Sequence, residues 1–371
     1  MTETPENIPP GSAPALLETQ EALASLVERL DAATVVALDT EFLRESTYFA
    51  QLCLLQVGIP GEVACIDPLA GLDLGRFWEI VLRQQPLMLM HAARQDLELI
   101  RQHTGSLPAS LFDTQVAAAL LGHPAQLGYA GLVERLLGVR LDKSHARTDW
   151  SRRPLAPVKL AYAADDVRYL PELHAQLGRA LEARGRVPWA EEDCNALLAP
   201  ALYENPPETA WQRVKGLRRL QGRARAAARA LAAWREVTAE QLDRPRRWVL
   251  GDEQLLALAN ALPDGRAALE AVPGLPPALL RRRGDALLEL LAQVPETAVP
   301  DIDPAPLDDA EKKTLARLTA LAREVAAQHD LEPEVLATRA ELTSAVRGAP
   351  SGRAFTGWRL EVIGRRLLEA L

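Results

Sequence analysis

Four consecutive apolar residues, Val35 to Leu38, run straight into Asp39-Thr40-Glu41, with Phe42 behind them. A short unbroken apolar run of this kind suits a strand covered on both faces. Side chains alternate along a strand, so Asp39 and Glu41 leave the same face. Two carboxylates side by side at low dielectric repel each other unless something positive sits between them. A hard divalent cation with oxygen ligands meets that need. A strand fraying into a polar loop would read the same way, and Asp-x-Glu alone does not choose.

A doubly covered strand requires flanking layers, and the neighbouring segments supply them. Helical periodicity runs from Leu16 to Leu30, over Leu72 to Gln85 and from Ala92 to His103. Strand-like runs occupy Thr34–Asp39, Gln51–Ile59, Glu62–Asp67 and Leu87–His91, with a hairpin signal at Gly58-Ile59-Pro60-Gly61. Helices are then expected over Asp113–Leu121, Tyr129–Leu137 and Val158–Ala183, interrupted by a basic loop from Arg140 to Pro157. Strands interleaved with helices and then covered by them give an α/β domain with a mixed sheet.

Beyond Pro206-Pro207 the pattern is helical without strands, and Val294 to Pro306 holds four prolines and several acids, as a linker would. The expected division is a disordered tail over 1–14, a sheet domain over 15–205, helical domains over 206–294 and 307–371, and a linker over 295–306. The two helical parts look like a repeat. Trp234-Arg235-Glu236-Val237-Thr238-Ala239 aligns with Ala322-Arg323-Glu324-Val325-Ala326-Ala327, and Pro245 with Pro333.

At 371 residues, 48% hydrophobic and 25% charged, the composition is that of a soluble globular protein of two or three domains. The acidic, proline-rich start lacks an apolar signal region, and no stretch approaches the ~18 apolar residues of a membrane span. Cys53, Cys65 and Cys194 are scattered and odd in number, which favours packing over bridging and fits a reducing cytoplasm. The net charge of -8 argues against nucleic acid only as an average, because charge is segregated along the chain.

Three more positions can join Asp39 and Glu41. Asp96 opens a helix just past the strand ending at His91. Tyr162 and Asp166, four apart, stack on one helix face, with Asp165 turned ~100° away as a surface or helix-terminal acid. Alone, Asp96 reads as a helix cap and the Tyr/Asp pair as a half-buried face. Their conjunction carries the information.

That conjunction resembles the DEDD 3′→5′ exonucleases with tyrosine in the third motif, and most closely the ribonuclease D family. Asp39-Thr40-Glu41-Phe42 with Thr47-Tyr48-Phe49-Ala50-Gln51 looks like the first motif. His91-Ala92-Ala93-Arg94-Gln95-Asp96-Leu97 looks like the second, and Asp149-Trp150-Ser151-Arg152-Arg153-Pro154-Leu155 leading to Tyr162-Ala163-Ala164-Asp165-Asp166 like the third. The helical repeats resemble HRDC domains, the second less closely than the first. The resemblance implies a ribonuclease H-like, DnaQ-like exonuclease domain followed by two small all-α HRDC-like domains. It also implies 3′-end trimming of structured RNAs, tRNA precursors especially, with Tyr162 orienting the attacking water.

Phosphodiester hydrolysis suits such a set. Two divalent ions about 3.5–4 Å apart can stabilise the attacking hydroxide and the leaving oxygen together. Asp39, Glu41, Asp96 and Asp166 provide four anionic ligands for two Mg2+ ions, with Mn2+ a substitute. Candidate RNA contacts are Phe42 and Tyr48 for the terminal base, and Lys143, Arg147, Arg152 and Arg153 in the loop before the third motif. From Trp211 to Arg235 there are eight basic residues and no acid, among them Arg218, Arg219 and Arg223. The expected partner is RNA with a free 3′ end, with no membrane and no obligate protein partner. A DNA exonuclease and a non-catalytic nucleic-acid-binding protein remain alternatives.

Overall fold

The structure, a computed structural model, describes residues 14–83, 85–142, 148–295 and 306–371. Lys143 and Arg147, residues 1–13 of the expected tail and 296–305 of the expected linker lie outside them. The chain opens with β1 (Ala15–Leu17), α1 (Gln20–Asp31), β2 (Val35–Leu43), β3 (Gln51–Ile59) and β4 (Glu62–Ile66). Next come α2 (Gly75–Val81), β5 (Leu87–Met90), α3 (Arg94–Thr104), β6 (Leu111–Asp113), α4 (Thr114–Ala119) and α5 (Tyr129–Leu137). Three helices follow, α6 (Pro157–Arg168), α7 (Leu170–Ala183) and α8 (Val187–Leu197).

The strands form one mixed sheet in the order β1-β4-β3-β2-β5-β6. β2 is an interior strand and pairs parallel with β5, Ala37 opposite Leu89. β3 and β4 pair antiparallel, Ile59 opposite Glu62, and Gly61 between them takes the left-handed φ of 86° that glycine adopts without steric cost. Val36, Ala37 and Leu38 are buried, as a strand covered on both faces requires. β2 continues to Leu43, past the expected end at Asp39, so Asp-Thr-Glu lies within the strand and not in a frayed loop.

Three expectations are corrected. Leu16 and Leu17, read as the start of a helix, belong to a strand, Ala15–Leu17, paired parallel with β4. Leu111–Asp113 is a strand that the sequence pattern does not announce. Segments of three residues are too short to show a period, and pairing with a neighbour decides them. The single helix expected over Val158–Ala183 is two, broken at Tyr169. Pro171 lies in the first turn of α7, where its missing N–H leaves no hydrogen bond unmade.

By compactness the chain divides into two units. One comprises Arg44–Gln51 and Glu204–Pro306. In it α9 (Gly222–Gln241), α10 (Arg246–Val249), α11 (Asp252–Ala261), α12 (Arg266–Glu270) and α13 (Pro277–Ala292) close on a core that includes Leu231, Leu255, Leu258, Leu269 and Leu287. The other holds the sheet and its helices through Tyr203, together with Leu307–Leu371. That last segment contains α14 (Asp309–Gln328), α15 (Pro333–Leu336), α16 (Arg339–Val346) and shorter turns. A 20-residue helix followed by a four-residue one thus occurs twice, α9 with α10 and α14 with α15, as the aligned segments suggested.

Leu315, Leu318, Val325 and Leu336 of the C-terminal segment share one core with Leu132, Leu173 and Leu177. Trp358 stacks on Trp189 with centroids 4.1 Å apart, and Arg359 pairs with Asp193 beside it. All three cysteines are buried and none is in a disulfide. Among the described residues no helix is long and apolar enough to cross a membrane.

Candidate active site

Asp39 and Glu41 sit two apart on β2, and Thr40 between them faces the other way. The Thr40 hydroxyl donates to Asp96 Oδ1 at 2.5 Å, which ties the strand to the first turn of α3. Asp96 is buried there, at a helix N-terminus that favours negative charge.

The turn that carries Asp96 is itself held. Ala92 has a φ of 55°, in the left-handed region that a residue with a Cβ rarely adopts. Its N–H donates to Asp113 Oδ1 at 3.1 Å, and the Ala93 N–H to Asp113 Oδ2 at 2.8 Å. The same Asp113 carboxylate caps α4 by accepting from Gln115 N at 2.8 Å. The sequence places Asp113 only at a helix start; its N-cap position is a legible signal, its second duty to the Asp96 turn is not. His91 is not available as a ligand, because Nδ1 meets Thr114 Oγ1 at 2.9 Å and Nε2 meets the Leu127 carbonyl at 3.0 Å.

α6 buries Leu160, Ala163, Ala164 and Val167, leaving Tyr162 and Asp166 half-buried one turn apart. Asp165 is not a surface acid. It forms an ion pair with Arg168 at 2.7 Å with both side chains largely covered.

The four carboxylates are electrostatic neighbours. Asp39 is pushed well above the usual carboxylate range by burial first, then by Asp96, Asp166 and Glu41. Burial, with Asp166 and Asp96 adding to it, lifts Glu41 to about 8. Asp166 is raised to about 7 by burial and by Asp165 and Asp96. Asp96 reaches about 6, burial being partly opposed by the Thr40 hydrogen bond. The Tyr162 phenol is raised too, by burial and then by Asp166, Glu41 and Asp39. The strand β2, the start of α3 and the late helix α6 therefore converge.

Among the described residues, no three or more His, Cys, Asp or Glu side chains are yet close enough to grip one ion. Their mutual influence is compatible with that spacing, since charges at low dielectric act over distances well beyond a metal–oxygen bond. The donor set fits a cation: four carboxylates, all oxygen, each raised by burial or by its neighbours, suit a hard divalent ion.

The expected RNA contacts fare unequally. Phe42 is half-buried beside Glu41. Tyr48 is committed elsewhere, within the helical unit. Its hydroxyl donates to Glu236 at 2.6 Å, Arg246 lies over its ring, and Asp243 accepts from the N–H groups of Tyr48 and Phe49. Arg153 is committed as well, gripping the buried Asp67 carboxylate at 2.6 and 2.7 Å. Arg152 is exposed and paired with Asp149 at 2.9 Å. Arg218 and Arg219 are exposed and Arg223 half-buried, whereas Arg225 and Arg235 of the same basic run are buried.

Residues 14–182 match the family model for a 3'-5' exonuclease, and residues 224–291 match that for an HRDC domain. The chain is 39% identical over 362 residues to a ribonuclease D of Acidiphilium cryptum, spanning 96% of this chain and 92% of that one. The chain belongs to the ribonuclease D family. A second ribonuclease D, from Gluconacetobacter diazotrophicus, is 37% identical over 365 residues, with 96% and 92% covered. Among solved structures, Escherichia coli ribonuclease D matches with a TM-score of 0.85 and 32% identity over 96% of this chain and 98% of that one. As a ribonuclease D family member the chain is a hydrolase, a 3′→5′ exoribonuclease with a mixed-sheet exonuclease domain followed by a helical HRDC domain.

Proposed function

We propose that this chain releases nucleoside 5′-monophosphates from RNA 3′ ends by hydrolysis at a site built from Asp39, Glu41, Asp96 and Asp166. The observation that carries this is the convergence of those carboxylates from three separate elements: Thr40 ties Asp96 to the strand of Asp39 and Glu41, and Asp96, Asp166 and Glu41 add to the burial that raises Asp39. Together they would hold two Mg2+ ions, or Mn2+ in their place. When bound, such ions acidify the attacking water and offset charge on the leaving 3′-oxygen. Thr40 keeps Asp96 aimed by its hydroxyl, and Asp113 keeps the Asp96 turn in place. Tyr162, its pKa raised, stays protonated at neutral pH and places the water by a hydrogen bond without acting as its base.

The division of labour we infer is an exonuclease domain over 15–205, a first HRDC-like domain over 206–294 and a second over 307–371. The exposed Arg218 and Arg219, with Arg223, would bind substrate phosphates. Phe42, and Lys143, Arg147 and Arg152 around the third motif, would contact the strand near the cut. Structured RNAs, tRNA precursors among them, are the proposed substrates, and the cytoplasm the proposed compartment. The E. coli relative, described as an exoribonuclease involved in structured RNA processing, supports the substrate class.

Digestion of end-labelled single-stranded RNA, matching DNA and a tRNA with a 3′ extension, with Mg2+, Mn2+ or chelator, tests this reading. Expected are mononucleotides from the RNA 3′ ends with either ion and none with chelator. Degradation of DNA in preference to RNA, or turnover that survives chelator, would overturn it.

A further inference from the structure

We propose that Trp150 is a positioning residue for Tyr162, with Arg153 fastening the loop that carries it; this rests on the water-placing role given to Tyr162 above. Residues 149–156, leading into α6, form neither helix nor strand, so something other than a backbone ladder must fix them. Arg153 does so with one guanidinium. Besides gripping both oxygens of Asp67, it donates to the Cys53 carbonyl at 2.6 Å and to the Trp150 carbonyl at 2.7 Å. β3 and the end of β4 are thereby locked to the residue that bears the indole.

The indole lies in a cluster with Cys53, Cys65, Leu155, Leu160 and Ala163, and Tyr162 packs against that cluster. Its ring is stacked on the Tyr162 ring, centroids 6.2 Å apart and planes 26° from parallel. The helical backbone already fixes where the Tyr162 side chain leaves α6. The two remaining torsions decide where its hydroxyl points, and a stacked neighbour restricts both.

A second observation separates stacking from mere filling. The Trp150 indole N–H is buried and has no partner among the described residues. A leucine would fill the same apolar cluster without burying an unmet donor, which is unfavourable. Packing alone gives no reason for tryptophan here, whereas a broad flat face against Tyr162 does.

The experiment is a double-mutant cycle on kcat for mononucleotide release from a short single-stranded RNA in saturating Mg2+. It compares the full-length wild type, Trp150→Leu, Tyr162→Phe and the double variant. Trp150→Leu is expected to lower kcat about tenfold, the scale of a misplaced group, with KM within about twofold. In the Tyr162→Phe background it should cost nothing more, because no hydroxyl remains to place. Trp150→Phe, which keeps an aromatic face, should restore most of the rate. If Trp150→Leu fails to unfold cooperatively, the cycle is run with Trp150→Met, which fills the cluster without a ring.

An equal loss from the Trp150 variant in both backgrounds, or a change confined to KM, overturns the inference while leaving the Tyr162 reading intact. A Tyr162→Phe enzyme with wild-type kcat defeats that reading, and the inference falls with it.

Discussion

Asp166 is ionised less readily in the folded chain than in the unfolded one, and the sign of its effect on stability follows. Its pKa rises from 3.8 to about 7, so between those values the folded state binds more protons than the unfolded state. Stability of the metal-free protein therefore falls as pH rises through that window. Asp166→Asn removes the ionising group and should raise the melting temperature of chelator-treated protein by roughly 3 °C or more at pH 8, and by little at pH 4. An equal shift at both pH values in calorimetry would contradict the assignment. In Mg2+ the same variant, like Asp39→Asn, should lose roughly 10³-fold or more in kcat on end-labelled RNA, as removal of several kcal/mol of stabilisation implies. Tyr162→Phe should retain more, losing about 10–100-fold. Asp39 with Glu41, and Tyr162 with Asp166, are legible as pairs because strand and helix periods project each pair onto one face. Asp96 alone reads as a helix cap and joins them only through the family resemblance. Thr40 and Arg153 are not legible, because their roles depend on partners 56 and 86 residues away.

Elements bring those residues together through contacts that local patterns do not announce. β2 is readable from its apolar run, yet its length beyond Asp39 is not, since Thr40 to Leu43 alternate too weakly in polarity to mark an end. The β5–α3 turn is the clearer case: Ala92, in the left-handed region, is held by Asp113 of another strand, which accepts its N–H and that of Ala93. Asp113→Ala should destabilise the protein by about 3 kcal/mol, the scale of buried donors left unmet, and Asp113→Asn by less. Urea unfolding measures both, and an Asp113→Ala midpoint equal to wild type would exclude this role. The segment Arg44–Gln51 likewise reads as part of the exonuclease motif, but Tyr48 and Phe49 are anchored by Glu236, Arg246 and Asp243 of the helical unit. Glu236 stays ionised for this despite burial, which raises its pKa, because hydrogen bonds from Arg246 and Tyr48 lower it further.

Across the whole molecule, the helical repeat is legible and its two copies have different fates. α14 to α16 share the apolar core of the sheet-bearing unit, while α9 to α13 enclose their own. Apolar faces at helical spacing show that a helix will pack but not against what. A chain cut at residue 206 would thus lose part of a core along with its basic helices, and RNA affinity is better tested by point changes. Arg218→Ala with Arg219→Ala should reduce the slope of log affinity against log salt by ~0.7 for each single-strand phosphate no longer neutralised. A filter-binding titration with an unchanged slope would remove these residues from the RNA surface. The central claim is that Asp39, Glu41, Asp96 and Asp166 form one cation site, and Mn2+ binding followed by electron paramagnetic resonance reads it most directly. Wild-type protein should take up Mn2+ at neutral pH, while Asp39→Asn and Asp166→Asn, still folded, should each bind it at least roughly tenfold more weakly, as loss of an anionic ligand implies. Undiminished Mn2+ uptake by both variants would contradict the account.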